Sequence, residues 1–161
     1  MSYDEILYFW FDESDPKQWW QKNIEFDEIV KARFLEIHRA AVQGELSDWR
    51  QQSRGRLAEI LVLDQFSRNI YRHSALSFAQ DGMALVLAQE CIAQNLAQDL
   101  NQSERAFLYM PFMHSESMVI HERAVELFSE PGLEENLDFE LKHKRIIDRF
   151  GRYPHRNQIL G

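Results

Sequence analysis

One cysteine, Cys91, stands in 161 residues, so no disulfide forms within the chain and no cysteine-based metal cluster is built. Proline and glycine together number only ten, which favours long regular elements over frequent turns. The start, "MSYDEILYFWF", has no basic flank, and its apolar run stops after six residues, Ile6 to Phe11. It is neither a signal peptide nor a membrane span, and a soluble cytoplasmic protein is expected. Also missing are strand alternation, hairpin dipeptides, low-complexity segments, linker composition and an internal repeat of helical-hairpin length. GxGxxG, Walker and GxSxG signatures are absent as well, so no cofactor is implied.

What the chain does contain is enough apolar sequence for one core. Hydrophobic residues make up 45% and charged residues 27%, which predicts one all-helical domain over residues 1–161. The net charge of −8 argues against nucleic acid as a partner. That charge is uneven. Residues 142–156, "KHKRIIDRFGRYPHR", hold six Lys/Arg against Asp148 alone, a local +5 that leaves −13 on the rest. A basic segment in an acidic chain suggests a local anion site or internal ion pairing.

Helix punctuation recurs throughout. Ser2 and Glu5 have capping-box spacing, and Asp15 with Pro16 reads as an N-cap followed by a first helical residue. Asp27 is expected to cap "EIVKARFLEIHRAAVQ", with Gly44 just past its end. Ser53 is expected to cap the next helix, Ser74 or Ser77 the one after, with Gly82 bending or splitting it. Ser103 opens "ERAFLYMPFMH", and Pro131-Gly132 and Gly151 stop the last two long helices. Cys91 reads as a small buried hydrophobe. The natural architecture is all-α, a stack of antiparallel helical hairpins.

"LVLDQFSRNIYR" holds the main contradiction. On a wheel of about 100° per residue, Leu57, Ile60, Leu61, Asp64 and Arg68 share one side, and Leu63, Phe66 and Ile70 cover the other. The helix is apolar on two faces, so it should be central, with Asp64, Arg68 and Asn69 inside it. Asp64 and Arg68 have i, i+4 pairing spacing. They read either as a buried structural ion pair or as the wall of a polar pocket.

"ERAFLYMPFMHSE" repeats the theme. Pro111 frees the carbonyl of Phe107 and predicts a kink or break, with His114, Ser115 and Glu116 just beyond. These are ligand-facing groups, or else Ser115 caps the next helix and His114 is its neighbour. In the last helix Phe139, His143, Ile146, Ile147 and Phe150 form a stripe that places His143 inward, where hydrogen-bonded filler is the ordinary role. The "GRYPHRN" loop gathers Arg152, Tyr153, His155, Arg156 and Asn157, stiffened by Pro154.

Together "LDQFSRNIYR", "ERAFLYMPFMHSE" and "RFGRYPHRNQILG" resemble a bacterial family, domain of unknown function 924. The N-terminal "WF", "FD", "RF" and "GEL…W" elements fit it too, so the resemblance spans essentially the full chain. It implies an all-α, tetratricopeptide-like right-handed superhelix and carries no established activity. It also implies a further helical segment beyond "ILG", so that one wall of a pocket is missing or differently built when the chain ends at Gly161.

Three functions are expectations at this point. The first is a binding module. Arg68, Asn69, His114, Arg149, Arg152, Tyr153, His155, Arg156 and Asn157 would receive an anionic small molecule or peptide terminus, oriented by Asp64, Glu116 and His143. The second is an acid–base hydrolase or transferase using His114, Glu116 and His155. The third is an interaction scaffold, with Trp10, Trp19 and Trp20 as candidate surface aromatics. No metal site is expected, because His114, Glu116, His143 and His155 match no ligand template and "IHERAV" lacks the second histidine of HExxH. One physical claim underlies the first two: the three polar segments converge on a shared hollow.

Overall fold

The computed structural model describes residues 1–160, and among these the chain is helical with no strand. Helix α1 (Tyr3–Leu7) continues into a π-helical turn, Tyr8–Glu13, and α2 (Pro16–Trp20) follows. Asp15 caps α2 with a full capping box, accepting from the Lys17 amide while the Gln18 side chain accepts from its own. Helix α3 (Ile24–Val42) ends at Gly44, whose φ of +75° is the left-handed conformation the sequence called for. Helix α4 (Ser53–Leu61), a π-helical turn over Val62–Phe66 and α5 (Ser67–Ile70) form one continuous rod. Then come α6 (Asp81–Ala93), α7 (Gln102–His114), α8 (Met118–Phe128), α9 (Glu134–Phe150) and the short α10 (Asn157–Leu160).

The α4–α5 rod is central, as its two apolar faces require. Every residue from Leu57 to Ser67 is buried. Helices α1, α3, α6 and α7 pack around it, while α6 through α9 pack consecutively on one another. The core joins Trp10, Phe9, Phe34 and Phe66, with Phe34 and Phe66 stacked at 5.0 Å. Trp10 is therefore core. Trp20 is 54% exposed and lies flat on Phe107 at 5.6 Å. Cys91 is fully buried. Among the described residues no helix is long and apolar enough to cross a membrane.

Several caps fall beside the expected residue. Ser2 occupies its N-cap position without a side-chain bond. Asn23, not Asp27, caps α3, because Asp27 is buried and takes Asn69 and Arg72 instead. Gln52 precedes α4, and the Ser53 hydroxyl is used by Asp99. Asn101, not Ser103, caps α7 in a box with Glu104. Ser74 caps only a short turn, Ala75–Ser77, and Gly82 sits in the first turn of α6 without splitting it. Ser117, not Ser115, caps α8.

Pro111 does not break α7, since the helix runs on to His114. Its ring is buried in a helix flanked by α4, α6, α8 and α9, so packing holds the turn that one lost hydrogen bond would loosen. In α9 the buried line runs through Glu140 and Ile147, leaving Phe139 and Phe150 about half exposed at 52% and 51%. His143 is half-buried, with its Nδ1 against the Phe139 carbonyl at 2.7 Å.

Candidate functional site

Asp64 lies in the π-helical turn of the central rod and is 1% exposed. Such turns widen the helix by an extra residue and often accompany functional sites. Its carboxylate accepts from Gln65 Nε2 at 2.9 Å and faces the Nδ1 of His114, the last residue of α7, at 2.7 Å from Oδ1. Burial works to raise the Asp64 carboxyl. The charges of His114 and Arg68, with hydrogen bonds from His114 and Gln65, outweigh it and hold the group below the usual carboxylate range. An ionised Asp64 accepts the Nδ1 proton and leaves Nε2 of His114 as the ring's other, open nitrogen. Nε2 takes no hydrogen bond from the described residues.

Arg68, one turn on, forks onto Asp81 at 2.8 and 3.0 Å and also donates to the Asp64 carbonyl at 3.0 Å. Burial would lower its pKa, but Asp64 and Asp81 together raise it. The Arg156 guanidinium donates to the His114 carbonyl at 3.1 Å and lies between the rings of Phe78 and Tyr153, at 4.5 and 4.7 Å. Glu116 accepts the Tyr153 amide at 2.6 Å. The segments around Arg68, His114 and Tyr153 therefore meet.

A second buried cluster fastens the Tyr153 loop. Tyr153 donates its hydroxyl to the Met113 carbonyl at 2.5 Å, and His121 Nε2 lies 2.9 Å from that hydroxyl. His121 Nε2 also donates to the Ser115 carbonyl at 2.6 Å, because a carbonyl only accepts. Its Nδ1 faces Glu140 at 2.7 Å, both side chains being fully buried. Burial raises the Glu140 carboxyl, with His121 opposing. One proton is thus held on the edge between His121 and Glu140.

The other candidate residues divide. His155 is exposed beside Tyr153 and lines a cavity of about 440 Å³ with Lys22, Arg68, Arg72 and Phe78. Asn69 instead donates to Asp27 at 2.9 Å, an acid that Arg72 also holds. Arg149, Arg152 and Asn157 are exposed and stand apart from the Asp64–His114 network. Arg149 stacks over Phe150, its chain neighbour, at 5.0 Å. Among the described residues no group of three or more His, Cys, Asp or Glu is placed to hold a metal ion.

Two cavities flank His114. One, of about 310 Å³, lies between Trp19, Trp20, Met110, Met113 and Phe139, with Gln65, Arg68, Asn136 and His143 as its polar members. Apolar walls with a few convergent polar groups are the usual build of a small-molecule site. The other, of about 370 Å³, opens towards Asp81, Gly82, Glu116 and Arg156. Sequence reasoning missed Asp81, Phe78 and the His121–Glu140 pair. An acid in the first turn of a helix reads as an ordinary dipole partner, so nothing marked Asp81. In "IHERAV" His121 stands beside Glu122, whereas its partner Glu140 lies 19 residues on.

The all-helical fold defines a class met in other bacterial chains. This chain belongs to the family of bacterial proteins of unknown function DUF924, which matches residues 6–161. It is also similar to a solved structure, a protein of unknown function from Agrobacterium tumefaciens. That likeness has 36% identity and a TM-score of 0.93, covering 98% of this chain and 89% of the other. No curated protein matches.

Proposed function

We propose that this chain carries out acid–base chemistry on a small organic molecule bound between Trp19, Trp20 and Phe139. In this reading His114 is the proton acceptor and donor, and Asp64 is its positioning partner. The observation that carries it is the 2.7 Å contact of His114 Nδ1 with a buried, ionised Asp64, which leaves Nε2 unengaged on a ring that lines the cavity. A carboxylate so placed fixes the tautomer and stabilises the imidazolium formed when Nε2 takes a proton. Water or a substrate hydroxyl would lose that proton. The Ser67 hydroxyl is already donated to the Leu63 carbonyl, and burial raises the Cys91 thiol, so neither serves as a nucleophile. The reaction class is hydrolysis or transfer without a covalent enzyme intermediate.

Arg68 has a narrower part than expected. Its fork is taken by Asp81, so it holds Asp64 and α6 in place rather than receiving an anion. A cytosolic setting belongs to the same proposal and is supported by the single buried thiol.

The test is a hydrolase and transferase substrate screen with wild-type protein, His114→Gln and Asp64→Asn, followed by a pH profile for any hit. Each variant is expected to lose about 10²- to 10⁴-fold in kcat with a smaller change in KM, and to alter the shape of the profile. Turnover unchanged in His114→Gln would end this reading.

A further inference from the structure

Arg156 is 7% exposed, yet one hydrogen bond, to the His114 carbonyl, is all its guanidinium donates. A guanidinium carries five donors. Its Nε is buried without a partner, and the nearest carboxylates, Asp81 and Glu116, stand 3.8 Å off, beyond hydrogen-bond reach. The plane is nonetheless fixed between Phe78 and Tyr153. A desolvated cation with rigid, unspent donors is built to meet an acceptor.

The start of α6 faces the same cavity of about 370 Å³. This helix has 13 residues, Gln80 supplies no side-chain cap, and no acceptor among the described residues engages the amides of Gly82 and Met83. Gly82 lines the cavity, and beyond its chain neighbours and its own helix backbone no atom lies within 4 Å of where a Cβ would stand, so the backbone is open to approach. Unspent amides at a helix start favour an anion.

We propose that Arg156 and the first turn of α6 bind the carboxylate of a small monocarboxylic acid with an apolar body. The planar two-oxygen group matches the guanidinium fork. Ala75, Ala79, Leu85, Pro111 and Leu160 line the rest of the cavity and receive the apolar part. Charge selects a monoanion. Asp81 is neutralised by Arg68, but Glu116 remains alongside and repels a dianion such as phosphate more strongly than a monoanion. This site lies on the α6 side of His114 and does not rest on His114 acting as a base.

Hexanoate and inorganic phosphate are titrated separately into ¹⁵N-labelled protein, following the Gly82 amide and the Arg156 Nε–H. The control is Gly82→Glu, which puts a carboxylate at the cavity mouth. An acid in the first turn of a helix is stabilising, so this variant folds. The expected result is saturable shifts of both signals with hexanoate and binding at least about tenfold weaker for phosphate. Gly82→Glu loses the hexanoate response while melting at the wild-type temperature or above. The absence of a saturable response to hexanoate overturns the site. So does an undiminished response in folded Gly82→Glu, and phosphate binding as tightly as hexanoate overturns the choice of a monocarboxylate.

Discussion

The carboxylate of Asp64 and the imidazole of His114 meet at 2.7 Å although 50 residues separate them. Asp64 thereby ties the π-helical turn of the central rod to the end of α7, inside an interior where an uncompensated charge is costly. Replacing Asp64 by Ala strands Arg68 and His114 beside an apolar gap, and urea unfolding should show a loss of about 3–5 kcal/mol. Asp64→Asn keeps the shape but changes the group facing Nδ1. It should cost less stability than Asp64→Ala while abolishing most of any turnover. The two variants separate the structural and chemical duties of one side chain.

Burial lowers the pKa of His38, and likewise of His143 and His155, so each stays neutral in the folded chain below the pH at which it charges when unfolded. The unfolded chain then binds more protons. Stability contributed this way is complete above about pH 6.5 and is lost as pH falls from there towards the folded values. Glu140 has the opposite sign. Its raised pKa adds stability below its unfolded value, and that is lost as pH rises through the folded one. The melting temperature should therefore fall on acidification from neutrality, with Glu140 offsetting part of the fall. His38→Gln, which keeps a donor for Ser67 Oγ, should flatten the slope, and Glu140→Gln should steepen it. Melting curves between about pH 5 and 7.5 check both.

Tyr153 is the peg of the C-terminal loop, with its hydroxyl 2.5 Å from the Met113 carbonyl and its backbone amide on Glu116. Tyr153→Phe retains the buried ring and its stack on Arg156 but leaves that carbonyl without the hydroxyl donor. A loss of about 1–3 kcal/mol is expected in urea unfolding, with an unchanged m-value because the buried surface is nearly the same.

Much of this was legible in local signals. Asp15-Pro16, Gly44 and Gly151 mark element ends because their chemistry suits only such places. The burial of Asp64 followed from apolar residues on both sides of its helix, and the meeting of the three polar segments was expected. The finer directions were not. A wheel of 100° per residue has no place for the π-helical turn at Val62–Phe66, which rotates the next residues of the rod and sends Asn69 to Asp27. Neighbouring Ser, Asn and Asp residues are near-equal caps, so Asn101 and Ser103 are not separable by propensity. The inward line of α9 contains Glu140, and hydrophobic patterning cannot reveal a buried acid whose partner is His121. Arg149 on α9 and Arg152 just beyond it are exposed and make no contact with the Asp64–His114 network.

Two glycines give a final, paired prediction. A Cβ on Gly55 would come 2.0 Å from the carbonyl oxygen of Trp49, because the first turn of α4 is pressed against the short Ser47–Gln51 turn. A backbone carbonyl cannot swing aside as a side chain does, so Gly55→Ala must push α4 off that turn, and about 3 kcal/mol of destabilisation is expected. Gly82 lies in an equally helical position with open space beyond it. There alanine only restricts the unfolded chain, and Gly82→Ala should stabilise by about 0.4–1 kcal/mol. Urea unfolding of the two variants side by side distinguishes a steric cause from helix propensity, because propensity alone favours alanine at both positions and only close packing reverses the sign at Gly55.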